Sequence, residues 1–345
     1  MITISDIAEK AGVSRATVSY VLNKRSTAVR ISEETRRRVV ETASALGYRR
    51  NELARAVTTG NSRMLGFWVM QSQHEPVAHV LAGAMQEADS HDYFIKMLGF
   101  DNSAIGQRIV EQCVEWRLSG IIAIHAPVVA LDNLQPMIAE SAIPMVIVDS
   151  QGPRRGSIHV TSDQTLGVRQ IIEHLASLGH RKITYVTGGS SEHEMLSHRR
   201  AEAYAAAMAA VGLEQNVNVV YGEWDADVTR AETRRMLALP TDDPMRPTAV
   251  ACWSDLTAML VIQTAAKMGV RVPDNLSVAG FDDLAGAELY NPPLTTIAQS
   301  FGEMGRIAVR RLLRCIDEES ASGSPAEETL PTRLVVRAST GPSSA

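Results

Sequence analysis

Near the start of the chain, apolar residues recur at helical spacing. Ile4, Ile7 and Ala11 form one seam, and Val18, Val21 and Leu22 continue it after Val13. This spacing predicts two short helices. Ser5 is placed to cap the first, and Ala8 is small enough to let the second approach. Gly12 ends the first helix by tolerating positive φ, Val13 plugs the turn, and Ser14 caps the second helix. A third helix is expected behind Ser32, running to Leu46-Gly47. Past Gly60-Asn61-Ser62 the pattern changes. Apolar runs at 65–70, 93–98, 120–124 and 145–149 alternate with helical stretches at 76–90 and 103–117. The second half repeats the rhythm, with helices at 164–178, 198–211, 229–239 and 257–268 and strands at 183–186, 216–221, 249–252 and 276–279. Such alternation predicts an α/β body with parallel sheets and helices on both faces. Two successive sheets of this kind leave a cleft between two lobes. After Pro292-Pro293, residues 295–299 read as a crossover strand returning to the first lobe, with a helix at 301–319 packed there. Residues 320–328 read as a polar loop, and 330–337 as a late strand back in the second lobe.

Composition fits this picture. Hydrophobic residues make up 45 % of the 345-residue chain and charged residues 21 %, enough for globular cores in two or three folding units. Met1 to Lys10 already carry Asp6, Glu9 and Lys10, and no apolar stretch approaches the roughly 20 residues of a membrane helix. Cys113, Cys252 and Cys315 fit no disulfide or zinc pattern. A cytoplasmic protein with buried thiols, no cofactor and no metal is the expectation. Charge is distributed unevenly. The chain is −5 overall, yet residues 1–61 hold eleven basic and six acidic residues. A basic head on an acidic body points to a polyanion partner for the head alone.

On the second helix, Arg15, Ala16, Thr17, Ser19 and Tyr20 are left toward the outside of the apolar seam. A helix-turn-helix puts such a face into the major groove of DNA. There Arg15 can bond a guanine edge in two places, and Ala16 or the Thr17 methyl can touch a thymine methyl. Arg36, Arg37 and Arg38 on the third helix are placed to reach phosphates.

With these motifs in view, the chain resembles the lactose/galactose repressor family over essentially its whole length. In the head the match rests on Ala8, Ala11-Gly12-Val13-Ser14, Thr17-Val18-Ser19, Val21-Leu22-Asn23, Leu46-Gly47-Tyr48, Asn51 and Ala54. In the body it rests on Ile143-Pro144, Val148-Asp149, Glu173-His174-Leu175, Leu178-Gly179-His180-Arg181, Gly280-Phe281-Asp282-Asp283, Pro293-Leu294-Thr295-Thr296-Ile297 and Leu334-Val335-Val336-Arg337. The resemblance implies a helix-turn-helix head joined to a two-lobed, periplasmic-binding-protein-like body. The divisions it implies are a head at 1–49, a hinge helix and linker at 50–61, and a body at 62–345. The first lobe would take 62–162 and 295–323, and the second 163–294 and 324–340.

Carried over position by position, the implied DNA contacts are Ser5, Arg15, Ala16, Thr17, Ser19, Tyr20 and Asn23, with Asn51, Ala54 and Val57 in the hinge. The implied ligand positions are Asp149, Arg200, Trp224, Asp282, Gln299 and Phe301. A carboxylate, a guanidinium and an indole face suit a polyol. The implied function is a transcriptional repressor acting as a homodimer on operator DNA, controlled by a small, sugar-like effector.

Several residues depart from the family. Tyr20 replaces the usual Arg, Arg49 a common Pro, and Val57 the Leu that wedges into the minor groove. In the first cleft loop, His74-Glu75-Pro76-Val77 stands for the family's Asn-Pro-aromatic-aromatic, and Leu256 replaces a polar residue.

Other functions find less support. Gly188-Gly189-Ser190-Ser191 follows a strand but lacks the Lys-Ser/Thr of a phosphate loop. His193 and His198, like His74 and His79, are five apart, one residue too far for a helical metal pair. Asp282-Asp283 reads better as a binding carboxylate beside a structural one than as an acid/base pair. The alternatives are a regulator that needs its effector as corepressor, and a sugar-handling enzyme fused to a DNA-binding head.

Overall fold

The computed structural model describes residues 2–22, 31–48, 62–70, 75–100, 111–124, 131, 140–141, 143–149, 157–189, 195–222, 225–317 and 326–343. The chain forms two compact units, Met1–Ser62 and Arg63–Ala345.

In the first unit three helices, α1 (Ile4–Ala11), α2 (Arg15–Leu22) and α3 (Glu33–Ala45), enclose a small core. Ile7, Ala8, Ala11, Val18, Val21, Val39 and Ala43 fill it. Gly12 closes α1 at φ 66°, and the Ser14 hydroxyl accepts from the Thr17 N–H at 3.0 Å at the start of α2. Ser32 caps α3. The cap of α1 is Thr3, not Ser5. Thr3 and Asp6 form a reciprocal capping box, in which the Thr3 hydroxyl accepts from the Asp6 N–H and the Asp6 carboxylate accepts from the Thr3 N–H. Ser5 is therefore left exposed on the first turn.

The second unit opens with β1 (Met64–Met70), α4 (Glu75–Ser90), β2 (Phe94–Phe100), β3 (Gly120–Ile124), β4 (Met145–Val148) and β5 (Ile158–Ser162). It continues through α5 (Gln164–Ser177), β6 (Ile183–Thr187), α6 (Met195–Ala210), β7 (Asn218–Tyr221), α7 (Ala226–Leu237), β8 (Ala249–Cys252), α8 (Asp255–Lys267), β9 (Ser277–Ala279) and the short α9 (Ala285–Leu289). It ends with β10 (Thr296–Ala298), α10 (Phe301–Asp317), β11 (Ala326–Leu330) and β12 (Arg333–Val335).

The first lobe is a six-stranded parallel sheet in the order β11-β5-β4-β3-β1-β2. One face packs on α4 and α10 through Leu65, Phe67, Ile122, Val146, Val160, Met304 and Leu312. Those two helices touch backbone to backbone. A side chain at Gly83 would strike the Gly302 carbonyl, and one at Gly305 would meet the Val80 carbonyl. The second lobe is a four-stranded parallel sheet in the order β7-β6-β8-β9. Its core includes Ile172, Tyr185, Tyr204, Met208, Ala251 and Phe281 on one face, and Val186, Val250, Val261 and Val278 on the other.

Three strands correct the sequence reading. The apolar pattern does not mark β5; its His159, Thr161 and Ser162 look like loop residues, yet all are buried between β4 and β11. β11 falls partly in the expected polar loop and within the stretch assigned to the second lobe. It instead forms an edge of the first sheet, parallel to β5, where backbone pairing tolerates Glu327 and Glu328. Residues 295–298, expected in the first lobe, pair with the second: β10 is antiparallel to β12, and Thr295 and Ala298 bridge to Ala279 and Asp282. The chain thus passes between the lobes after β5, after β10 and after β11. Its last residues strap the second lobe. The Val278 N–H donates to the Ser339 carbonyl and the Ser343 N–H to the Leu178 carbonyl, each at 2.8 Å. No described helix is long and apolar enough to cross a membrane.

Candidate functional site

The ends of the parallel strands frame the cleft in the second unit. At the end of β4 the chain turns sharply, and Asp149, at φ 48° and 5 % exposed, sits at that turn. Gln164, at the start of α5, donates from Nε2 to Asp149 Oδ1 at 3.2 Å and accepts from Arg200 Nε at 2.7 Å. Arg200 on α6 is 2 % exposed. Its Nη1 donates to the Trp253 carbonyl at 2.6 Å, and its guanidinium lies 4.0 Å from the Trp253 ring and 3.9 Å from the Phe281 ring. Two rings this close leave the guanidinium chiefly its edge for further bonding.

Asp282 follows Phe281 at φ 122° and receives the Gln299 Nε2 at 2.6 Å. Burial holds its carboxyl well above the usual carboxylate range. The Arg200 charge opposes that shift, while the Asp255 and Asp149 carboxyls reinforce it. Asp255, fully buried at the start of α8, accepts from the Thr296 hydroxyl and from the Leu284 N–H at 2.7 Å. Burial pushes its carboxyl up to about 7, against the pull of those two bonds. Asp283 serves the fold instead. Arg337 Nη2 reaches its Oδ1 at 2.7 Å, pinning the late strand.

A cavity of about 200 Å³ adjoins Asp282, lined by His79, Asp282, Asp283, Leu284, Gln299, Ser300, Phe301, Gly302 and Glu303. Of the expected ligand residues, Asp282, Gln299 and Phe301 share this cavity. Asp149 and Arg200 are joined through Gln164. Phe301 is mostly committed to the first-lobe core, at 5 % exposure. Trp224 lies outside the described residues, as do His74, Ser190, Ser191 and His193. Gln164, Trp253 and Asp255 are not among the residues expected from the sequence. The Trp253-Ser254-Asp255 run carries a signal for two of them, and no spacing marks Gln164.

A cleft floor whose main carboxyl is held above the usual carboxylate range, with a guanidinium edge and two aromatic rings beside it, suits a polar ligand that has an apolar face.

In the first unit, Ser5, Arg15 and Ala16 are exposed, and Thr17, Ser19 and Tyr20 are half-buried along α2. The Thr17 hydroxyl is 2.9 Å from that of Ser14, so Thr17 has its methyl to offer. Arg36 and Arg37 lie 3.7 and 3.8 Å from Glu33 and Glu41, exposed pairs that bind weakly and release readily. Asn23, Asn51, Ala54 and Val57 lie outside the described residues.

Comparison with known proteins agrees with this geometry. Residues 3–51 match the model for bacterial regulatory proteins of the lacI family, and residues 172–340 match the periplasmic binding protein-like domain. The HTH-type transcriptional repressor PurR of Photobacterium profundum is 29 % identical over 324 residues, covering 93 % of each chain. The HTH-type transcriptional regulator KdgR of Bacillus subtilis is 27 % identical over 339 residues, covering 98 % of this chain and 97 % of that protein. The structure of the Lac repressor dimer bound to operator and the anti-inducer ONPF superposes with a TM-score of 0.81 at 26 % identity, over 99 % of both chains. That of the CelR–cellobiose complex gives 0.70 at 25 % identity, over 98 % of this chain and all of that one. With a helix-turn-helix head and a two-lobed periplasmic-binding-protein-like body both in place, the chain belongs to the lacI family of bacterial regulatory proteins.

Proposed function

We propose that the protein is a cytoplasmic, homodimeric transcriptional repressor that binds a two-fold-symmetric operator and is controlled by a small, uncharged, sugar-like effector held between its lobes. The observation that carries the effector reading is the placement of Arg200. It is buried against two aromatic rings, and Gln164 links it to Asp149 at the end of a first-lobe strand. A ligand touching this chain meets both lobes, so its binding depends on how they close. Asp149, Arg200, Trp224, Asp282, Gln299 and Phe301 are its proposed contacts.

For DNA, Arg15, Ala16, Thr17 and Tyr20 read bases, while Ser5, Ser19 and Asn23 support the docking. Asn51, Ala54 and Val57 act in the minor groove. A hinge of about seven residues is too short to be helical alone, so it orders only with its twin on DNA. Effector-driven closure that respaces the first lobes separates the hinges and releases the operator.

The deciding experiment selects a binding site from random duplexes, then measures affinity by fluorescence anisotropy with and without D-ribose, D-galactose, cellobiose and hypoxanthine. A sugar that weakens operator binding supports the proposal. A compound that tightens binding makes the protein a corepressor-dependent regulator, and turnover of any of them makes it an enzyme.

A further inference from the structure

Two tyrosines stack in the second lobe beneath the cleft. Tyr185 on β6 and Tyr204 on α6 have ring centroids 5.4 Å apart and planes within 19° of parallel. Both are buried, at 1 % and 0 % exposure. Their hydroxyls differ. That of Tyr204 donates to the Ile183 carbonyl at 2.7 Å and accepts from the Asn218 N–H at 2.9 Å, clamping α6 to the sheet. That of Tyr185 has no hydrogen-bond partner among the described residues.

A buried hydroxyl without a protein partner is costly, and a phenylalanine would fill the same space without that cost. Thr187, two residues further along β6 and so on the same face, is also fully buried with its hydroxyl unpartnered. Thr187 is the last residue of β6, at the strand end that faces the cleft. The Tyr185 hydroxyl is within electrostatic reach of the Arg200 guanidinium and the Asp282 carboxyl. Arg200 stands one turn before Tyr204 on the same face of α6. Its Nε and Nη1 are engaged, and among the described residues nothing accepts from Nη2. Gln299 Oε1, on the far side of Asp282, is buried and unpartnered as well.

We infer that Tyr185 is an effector-recognising residue: its hydroxyl and Arg200 Nη2 together hold one oxygen of a hydroxylated ligand at the deep end of the cleft, directly or through one ordered water. Arg200 only donates, whereas Tyr185 donates or accepts. A ligand hydroxyl therefore satisfies both at once, accepting from the guanidinium and donating to the phenol. A ligand bearing only an alkyl group at that end leaves both dry. The inference rests on the cleft being the effector site and adds to it a residue that none of the family positions includes.

The test uses the full chain with Tyr185→Phe, and Tyr204→Phe as a structural control. Calorimetry measures melting, and titration measures binding of D-ribose, D-glucose, D-galactose, cellobiose, hypoxanthine and guanine. Y185F is expected to melt at or above the wild-type temperature, because a buried hydroxyl with no protein partner is removed. It should bind the compound that the wild type binds about tenfold more weakly. Y204F should melt lower while keeping that affinity within about threefold. Unchanged affinity in Y185F, or a fall in melting temperature matching that of Y204F, overturns the assignment. If the wild type takes a purine base and no sugar, the sugar-like reading fails, and the role of Tyr185 is judged on the loss for that base. If no compound binds, a crystal structure of the full chain decides. An ordered molecule in hydrogen-bond range of both Tyr185 Oη and Arg200 Nη2 supports the assignment, and a dry hydroxyl overturns it.

Discussion

The Glu75 carboxylate, on the first turn of α4, accepts a hydrogen bond from the backbone N–H of Ala285 at 2.8 Å. This bond ties the first lobe to the start of α9 in the second. His79 Nε2 stands 3.3 Å from the same oxygen. Glu75 also opens α4 in the stretch where the sequence departs from the family pattern. An acidic rim residue here bridges the lobes.

Glu75→Ala should therefore loosen the contact between the lobes. The bond is partly exposed, so the cost is about 0.5–1.5 kcal/mol. Small-angle scattering of the ligand-free protein should report a larger radius of gyration for E75A. Glu75→Gln keeps an acceptor and should stay close to wild type. An unchanged radius in E75A would remove the bridge from any account of closure.

Asp255 gives the body a pH dependence of known sign. Its buried carboxyl titrates at about 7 in the folded protein, above its unfolded value of 3.8. Between those values the folded state binds a proton that the unfolded chain has released. This group therefore stabilises the fold below the lower value, and the contribution is lost as pH rises to about 7, at up to about 1.4 kcal/mol per pH unit. Asp282 is shifted the same way. Urea midpoints of Asp255→Asn should vary less between pH 4 and 7 (about the interval between the two values) than those of the wild type. Equal slopes would place the titration elsewhere.

Arg15→Ala should cost about 1–3 kcal/mol at one symmetric pair of operator positions and little on random DNA. Anisotropy against single-base operator variants measures this. Uniform weakening on every sequence would mean that Arg15 touches phosphate only.

Gly305→Ala drives a methyl into the Val80 carbonyl oxygen, a backbone atom that cannot rotate away. A loss of about 1–3 kcal/mol or more is expected by urea denaturation, as α4 and α10 are forced apart. A neutral result would mean that the two helices slide freely.

Much of the architecture is legible in the residues alone, because a parallel sheet buried on both faces leaves apolar runs such as Ile121–Ile124, with helices written between them. β5 escapes that logic. Its alternating Ile158, His159, Val160 and Thr161 carry buried polar side chains, and the Ser157 hydroxyl lies 3.1 Å from His159 Nε2. β11 escapes it because an edge strand needs backbone partners more than apolar side chains. In the cleft, Asp149, Arg200 and Asp282 stand out only through family resemblance. Gln164 and Tyr185 depend on contacts between residues far apart in the chain, and no local spacing records those.

The C-terminal segment sets a limit on assembly. β11 closes an edge of the first sheet, and the residues after β12 strap the second. Neither lobe can complete its hydrogen bonding until residues 326–343 have left the ribosome, long after the three-helix head has everything it needs. Truncation there costs both lobes at once and the head nothing. Chains cut short in this stretch should keep a folded head while having lost both the effector-binding body and the pairing that the hinge needs.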